Sequence, residues 1–358
     1  MEHLRGLKLN VDDVRRRLMQ GMLIPAHPLA LNAARKLDER RQRALSRYYI
    51  EAGSGGLAVG VHTTQFAIRR PEIGLYRPVL CLAAEIAAEY AARPLLIAGV
   101  VGSTSQAVAE AELAAEIGYD AVLLSLSGLG CWTESHVLAH CRVVAEVLPV
   151  MGFYLQPAVG GIPLSYSFWR RFVEIESVVA IKVAPFNRYA TLDVARAVID
   201  AGRQNHVALY TGNDDAILSD LLLPFNLPRA DGQPAATRFV GGLLGHCAVW
   251  TRTAVRIFEY VQSLISTNAP LPVDVLQLAW QITDCNSAFF DAANAYRGCI
   301  AGLHEVLRRQ GLLEGIWCID PDECLSPGQF EEIDRVYRAY PHLNDDEFVA
   351  EHRDRWLS

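Results

Sequence analysis

Lysine is almost missing from this chain: Lys8, Lys36 and Lys182 stand against thirty arginines. Basic surface duty falls to arginine, so a lysine inside an apolar run needs a reason of its own. Long hydrophobic runs are absent too. Gly, Pro or a charge interrupts each one well short of the ~20 residues that a membrane span requires. Charge of one sign never gathers in a block, and a net charge of −7 offers no footprint for nucleic acid or an anionic membrane. The opening Met1-Glu2-His3-Leu4-Arg5-Gly6 lacks the apolar core of a signal peptide. None of the eight cysteines (Cys81, Cys131, Cys141, Cys247, Cys285, Cys299, Cys318 and Cys324) forms a Cys-x-x-Cys pair. They read as reduced thiols, mostly in the core, of a cytoplasmic protein. Their spacing gives no metal motif. No Gly-x-Gly-x-x-Gly follows the first strand, which removes support for a dinucleotide fold.

What the chain does have is a composition of 51% hydrophobic and 20% charged residues, ordinary for a packed globular protein. Short apolar runs at 21–24, 57–61, 95–101, 121–124, 150–155, 178–183, 207–210 and 239–244 read as eight strands. Between them lie amphipathic segments at 37–52, 79–90, 105–117, 134–147, 166–175 and 192–201. Start signals recur at Asp38, Ser103 and Thr191. Alternating strand and helix implies a parallel sheet, and eight units are the number that closes a (β/α)8 TIM barrel. Residues 223–237, rich in Pro, Gly and Asp, read as a loop. After about residue 250 only helices are expected, at 255–265, 273–294, 301–310 and 330–337. The domain reading is a barrel over 1–250 and a C-terminal helical region and tail over 251–358.

Lys182 sits in Val178-Val179-Ala180-Ile181-Lys182-Val183-Ala184, a β-branched run of the kind buried on both faces of a sheet. Burial disfavours the ammonium form, and a neutral amine can attack a carbonyl to form a Schiff base, which arginine cannot do. The alternative is a lysine that snorkels from the strand end or pairs with a carboxylate. In a (β/α)8 barrel the active-site residues project from the C-terminal ends of the strands. Three such ends carry chemistry: Lys182 on the sixth, Tyr154 on the fifth, and Gly60-Val61-His62-Thr63-Thr64-Gln65 after the second. His136 and His140 share a helical i,i+4 spacing without a His-Glu-x-x-His motif, so a solvated helix face explains them better than zinc.

Tyr154, followed 28 residues later by Lys182 and closely by Pro157 and Gly160-Gly161, resembles the dihydrodipicolinate synthase and N-acetylneuraminate lyase superfamily of pyruvate aldolases. Leu95–Val100, Gly118–Val122, Thr211–Asp215 and Gly241–Gly245 resemble that family's later barrel segments, so the likeness runs over roughly residues 20 to 310. It implies that Lys182 forms an imine with a 2-oxo acid and needs no metal or organic cofactor. It implies that Tyr154 relays protons to the substrate oxygen. The family holds the 2-oxo acid's carboxylate on a Gly-Thr-Thr-Gly-Glu loop. Here either Thr63 and Thr64 match the two threonines across an inserted pair, or His62 and Thr63 do so without a gap. Thr63 joins the catalytic set on this reading, with His62, Thr64, Gly245 and His246 binding substrate, the last two through backbone groups. Partners implied are a small 2-oxo acid, an aldehyde, and copies of the chain itself in a homodimer or homotetramer.

Two departures qualify the likeness. Val159 stands where the synthase carries an arginine for its second substrate's carboxylate, and Ser125-Leu126-Ser127-Gly128 replaces the family's paired tyrosines. The lysine-pathway reaction is therefore disfavoured, and Val159, Leu126 and Trp132 suggest an apolar wall for a larger or less charged aldehyde. Arg188 is read as a solvated loop residue rather than a substrate ligand. Two other functions stay open: a non-catalytic 2-oxo-acid binder, and a barrel enzyme that holds a phosphorylated ligand on Gly241, Gly242 and Gly245.

Overall fold

A computed structural model describes residues 10–267 and 270–358. Among the described residues there are ten strands: β1 (Leu23–Pro25), β2 (Gly56–Val59), β3 (Leu95–Val100), β4 (Ala121–Ser125), β5 (Val150–Leu155), β6 (Val178–Ala184), β7 (Ala208–Thr211), β8 (Phe225–Pro228), β9 (Pro234–Thr237) and β10 (Phe239–Leu244). The helices are α1 (Val11–Met19), α2 (Glu39–Glu51), α3 (Tyr76–Ala88), α4 (Thr104–Ile117), α5 (Glu134–Ala145), α6 (Tyr166–Phe172), α7 (Arg188–Asp200) and α8 (Ile217–Leu222). They continue as α9 (Thr251–Thr267), α10 (Val273–Phe289), α11 (Cys299–Arg309), α12 (Gln329–Ala339) and α13 (Asp346–Trp356).

Eight strands form one sheet in the order β1-β10-β7-β6-β5-β4-β3-β2. A parallel bridge between Ala26 and Ala58, with the His27 N–H donating to the Ala58 carbonyl at 2.9 Å, joins its two outer members. The architecture is a (β/α)8 barrel followed by C-terminal helices. The interiors of the central strands are buried along their whole length, as their unbroken apolar runs require. The 223–237 loop is instead an antiparallel hairpin, β8 paired with β9, pinned by Phe225 edge-on to Phe239 at 5.7 Å. Its alternating half-exposed pattern gives little apolar periodicity to read.

Several helix starts follow side-chain capping. Asp38 accepts from the Arg41 N–H and Ser103 from the Gln106 N–H, as expected of short oxygen-bearing side chains. Thr191 is not a cap: α7 begins three residues earlier, where Asn187 accepts from the Tyr189 and Ala190 N–H groups. That start also moves Arg188 out of a loop. It is the first residue of α7, and its guanidinium pairs with the buried Asp220 at 2.6 Å.

The described residues group into two compact units. One comprises the chain up to Met22, Leu95–Asn213 and Ser219–Leu243; the other comprises Leu23–Pro94, Asp214–Leu218 and Leu244–Ser358. Position 250 marks the change from strand–helix alternation to helices alone, and the compact units divide elsewhere. Among the described residues no helix is long and apolar enough to cross a membrane.

Candidate active site

In the first unit, parallel pairing fixes which side chains share a face. Ser125 pairs with Phe153, Phe153 with Lys182, and Lys182 with Tyr210, so these four stand in one row on one face of the sheet. All four are buried, Lys182 at 8% exposure. The Lys182 Nζ lies 4.4 Å from the centre of the Phe153 ring, a cation–π distance. The Tyr210 hydroxyl donates to the Leu18 carbonyl in α1 at 2.9 Å, which anchors the row at one side of the lysine. At the other side the Ser125 hydroxyl donates to the Ser127 hydroxyl at 3.1 Å. Gly212 leaves room for the lysine stem: a Cβ there would lie 2.7 Å from the Lys182 Cε.

Tyr154 is on the other face. It pairs with Val183, one position along from Lys182, and side chains alternate sides along a strand. Its ring packs 5.1 Å from Trp169 of α6, and its hydroxyl donates to the Leu164 carbonyl at 3.2 Å. Gly152, two residues earlier on that face, confirms the parity, because a Cβ on it would meet Phe172 and Trp169. Burial pushes the Tyr154 phenol upward from its ordinary pKa, which suits a structural donor. The expected phenol beside the amine is therefore corrected: strand register brings Phe153 to Lys182, and sequence spacing alone cannot report parity.

The second unit carries the remaining expected residues. His62, Thr63 and Thr64 form a short 3-10 turn directly after β2. Thr64 is committed to the backbone, donating to the His27 carbonyl at 2.6 Å and accepting from the Gly60 and Val61 N–H groups. Thr63 donates to the Ala26 carbonyl at 2.8 Å, which ties the turn to the end of β1 while its oxygen lone pairs remain acceptors. His62 is half-buried with its ring 6.0 Å from Phe66. Gln65, not singled out by sequence, holds a left-handed φ of 67°, and its buried Oε1 accepts from the Ile319 N–H at 2.6 Å.

Gly245 and His246 follow β10. The His246 N–H donates to the Asp214 carboxylate at 2.9 Å, so it does not serve as the expected backbone donor. The imidazole is the distinctive group instead: its Nδ1 meets the Asn286 Oδ1 at 2.7 Å. Burial lowers its pKa to about 4, against which the Asn286 hydrogen bond acts weakly. Gly245 sits under the Phe290 ring, where a Cβ would come to 3.1 Å. Gly241 of β10 likewise answers to packing. A Cβ on Gly241 would fall 2.2 Å from the Met22 carbonyl oxygen, so Gly241 is explained without a phosphate.

His140 corrects the solvated-face expectation: it is 2% exposed and bonds the Thr104 hydroxyl at 3.0 Å, whereas His136 is exposed. Among the described residues no cluster of three His, Cys, Asp or Glu side chains is arranged to hold a metal. All eight cysteines are free thiols.

The fold defines the architectural class: a (β/α)8 barrel followed by C-terminal helices. A sequence model of the Dihydrodipicolinate synthetase family matches residues 19–226, more than half of the chain, and the chain belongs to that family. It is 27% identical over 246 residues to a 4-hydroxy-tetrahydrodipicolinate synthase of Desulforudis audaxviator, covering 64% of this chain and 78% of the relative. A second such synthase, from Acaryochloris marina, is 28% identical over 194 residues, covering 50% of this chain and 63% of its own length. Among solved structures, dihydrodipicolinate synthase from Oceanobacillus iheyensis superposes with a TM-score of 0.73 at 16% identity, covering 93% of this chain and all of that one. N-acetylneuraminate lyase from Fusobacterium nucleatum, complexed with pyruvate, gives 0.70 at 17% identity, covering 91% and 99%. Enzymes of the family are class I lyases that work through a covalent imine between lysine and pyruvate, with no external cofactor.

Proposed function

We propose that this chain is a Schiff-base-forming lyase, an aldolase or dehydratase acting on pyruvate or another 2-oxo acid, with Lys182 as the amine. The observation that carries the reading is the buried Lys182 on β6 with its Nζ against the Phe153 ring, inside the segment that matches the family. An amine in that setting attacks the ketone carbon, water leaves, and the iminium then draws electrons from the neighbouring carbon. The Phe153 face favours that cation electrostatically. The family likeness assigns the substrate carboxylate to Thr63 together with either Thr64 or His62, and Thr64 is already committed to backbone groups. Val159 offers no charge to a second carboxylate, which supports an uncharged aldehyde or leaving group over the lysine-pathway partner. A cytoplasmic homodimer or homotetramer is part of the same reading, checked by light scattering.

The experiment is incubation with pyruvate and borohydride followed by mass spectrometry, wild type beside Lys182→Ala. A reduced pyruvate adduct on wild type alone supports the proposal. Equal labelling of both, or of neither, sinks it. A second reading, a 2-oxo-acid binder without turnover, is favoured by the single fact that Tyr154 faces Trp169 rather than the amine. It predicts the same adduct and no product with any aldehyde tried.

A further inference from the structure

Beyond the lysine's row, the same face of the sheet carries a second row. Leu155 pairs with Ala184 across β5 and β6, just as Phe153 pairs with Lys182. Side chains two positions apart on a strand share a face. Leu155 therefore stands beyond Phe153, and Ala184 beyond Lys182, on the C-terminal side where barrels place their chemistry. On β7 the corresponding step from Tyr210 leads to Gly212, whose N–H donates to the Val183 carbonyl at 2.8 Å and continues the parallel pairing. A Cβ on Gly212 would lie 2.7 Å from the Lys182 Cε, 3.2 Å from its Cγ and 2.8 Å from the Ala184 Cβ. The lysine stem thus runs past Gly212 toward the second row, and the amine emerges beside it.

From β5 to β7 this row reads leucine, alanine, glycine, with Leu155 and Ala184 both buried. None of the three offers a side-chain charge, donor or acceptor. The apolar stretch ends at β4, where the Ser125 hydroxyl donates to that of Ser127 at 3.1 Å. An imine on Lys182 brings two groups here, because the former ketone carbon bears a carboxylate on one side and the substrate chain on the other. A carboxylate against an alkyl wall loses hydration without a compensating bond. An alkyl chain gains there, by about fourfold in affinity for each methylene buried.

We infer that Leu155, Ala184 and Gly212 form a specificity wall for the substrate chain, selecting 2-oxo acids with an alkyl chain over those whose chain carries a hydroxyl or a second carboxylate. The inference rests on the 2-oxo-acid reading above. It involves only residues of the compact unit that carries Lys182.

Borohydride trapping on the full chain tests it, scored by mass spectrometry over a concentration series of each acid. Pyruvate, 2-oxobutyrate and 2-oxovalerate form the alkyl series. 4-Hydroxy-2-oxobutyrate and 2-oxoglutarate supply polar chains of similar length. The half-saturating concentration should fall about fourfold from pyruvate to 2-oxobutyrate. Both polar acids should require about tenfold more than 2-oxovalerate. Ala184→Ser puts a hydroxyl on the wall at little change in size, and should narrow the gap between 2-oxovalerate and 4-hydroxy-2-oxobutyrate. Leu155→Ala removes most of the alkyl surface and should flatten the dependence on chain length. The readout is the ratio between two acids on one protein sample, which a loss of folded protein does not alter. Equal trapping of 2-oxovalerate and 4-hydroxy-2-oxobutyrate by the wild type, a preference for the hydroxylated acid, or wild-type ratios in both variants overturns the inference and leaves the Schiff-base reading standing. No adduct on Lys182 with any of the five acids removes both.

Discussion

The Lys182 Nζ rests 4.4 Å from the centre of the Phe153 ring, and the two residues are direct partners on adjacent parallel strands. A π face attracts a cation more strongly than a neutral amine, with a value of about 0.5–2 kcal/mol for the cation depending on desolvation. Phe153→Leu should therefore weaken the iminium. The apparent affinity for pyruvate in the trapping assay should fall roughly three- to thirtyfold, with the unfolding midpoint nearly unchanged. An adduct that forms as readily in the variant removes Phe153 from the site.

Tyr154→Phe separates a relay from a strut. A proton relay contributes about 10²–10⁴-fold to rate, whereas loss of one hydrogen bond to the Leu164 carbonyl costs on the order of 1 kcal/mol of stability. The geometry predicts the second result: a slightly lower urea midpoint and an unaltered rate of adduct formation. A hundredfold slower adduct would restore the phenol to the chemistry.

Gly212→Ala should disable the lysine without unfolding the barrel. Its new Cβ would fall 2.7 Å from the Lys182 Cε and 2.8 Å from the Ala184 Cβ, so the flexible stem must give way first. Trapping should slow at least tenfold, while stability falls by about 1–3 kcal/mol, as for other overpacked sites. Unchanged trapping would mean that the stem can move aside without loss.

Asp220 holds the far end of β7. It accepts from the Thr211 hydroxyl at 2.6 Å, the Asn213 amide at 3.0 Å and Arg188 at 2.6 Å, with its own side chain fully covered. Asp220→Ala leaves the buried Thr211 hydroxyl without its acceptor, while the Asn213 amide keeps Thr191 and Arg188 reaches solvent, and it should cost about 1–3 kcal/mol by denaturant titration. A loss below 1 kcal/mol would show that Arg188 and Thr211 find new partners.

Three histidines make the fold acid-sensitive. Burial lowers His27, His246 and His304 each to about 4, from the ordinary 6.5. Below 6.5 the unfolded chain takes up protons that the folded chain refuses, so stability is full above pH 6.5 and drains as pH falls toward 4. For each, on the order of 3 kcal/mol of stability present at pH 7 is lost as pH falls from 6.5 to 4. Urea midpoints measured at pH 7, 6 and 5 should drop progressively, and His27→Gln should flatten the slope by about a third. A flat profile would contradict the three shifts.

The local signals were legible because they depend on neighbours in sequence. The strands at 150–155 and 239–244 carry the apolar runs of doubly buried strands, and Asp38 and Ser103 cap the helices that they precede. The β8–β9 hairpin was not legible, since its half-exposed residues lack a strong period. Neither was the start of α7, where Asn187 outcompetes Thr191 because its side chain reaches two N–H groups at once.

By itself the sequence determined an eight-unit barrel and a lone lysine on its sixth barrel strand, because burial periodicity and residue chemistry are written position by position. Only the tertiary structure decided what meets that lysine. A 28-residue spacing from Tyr154 says nothing about which face a strand presents, and a single step in parity exchanges a phenol for Phe153. The tertiary structure alone likewise gave His246 its hydrogen-bond partners, because Asp214 and Asn286 come from distant stretches of chain.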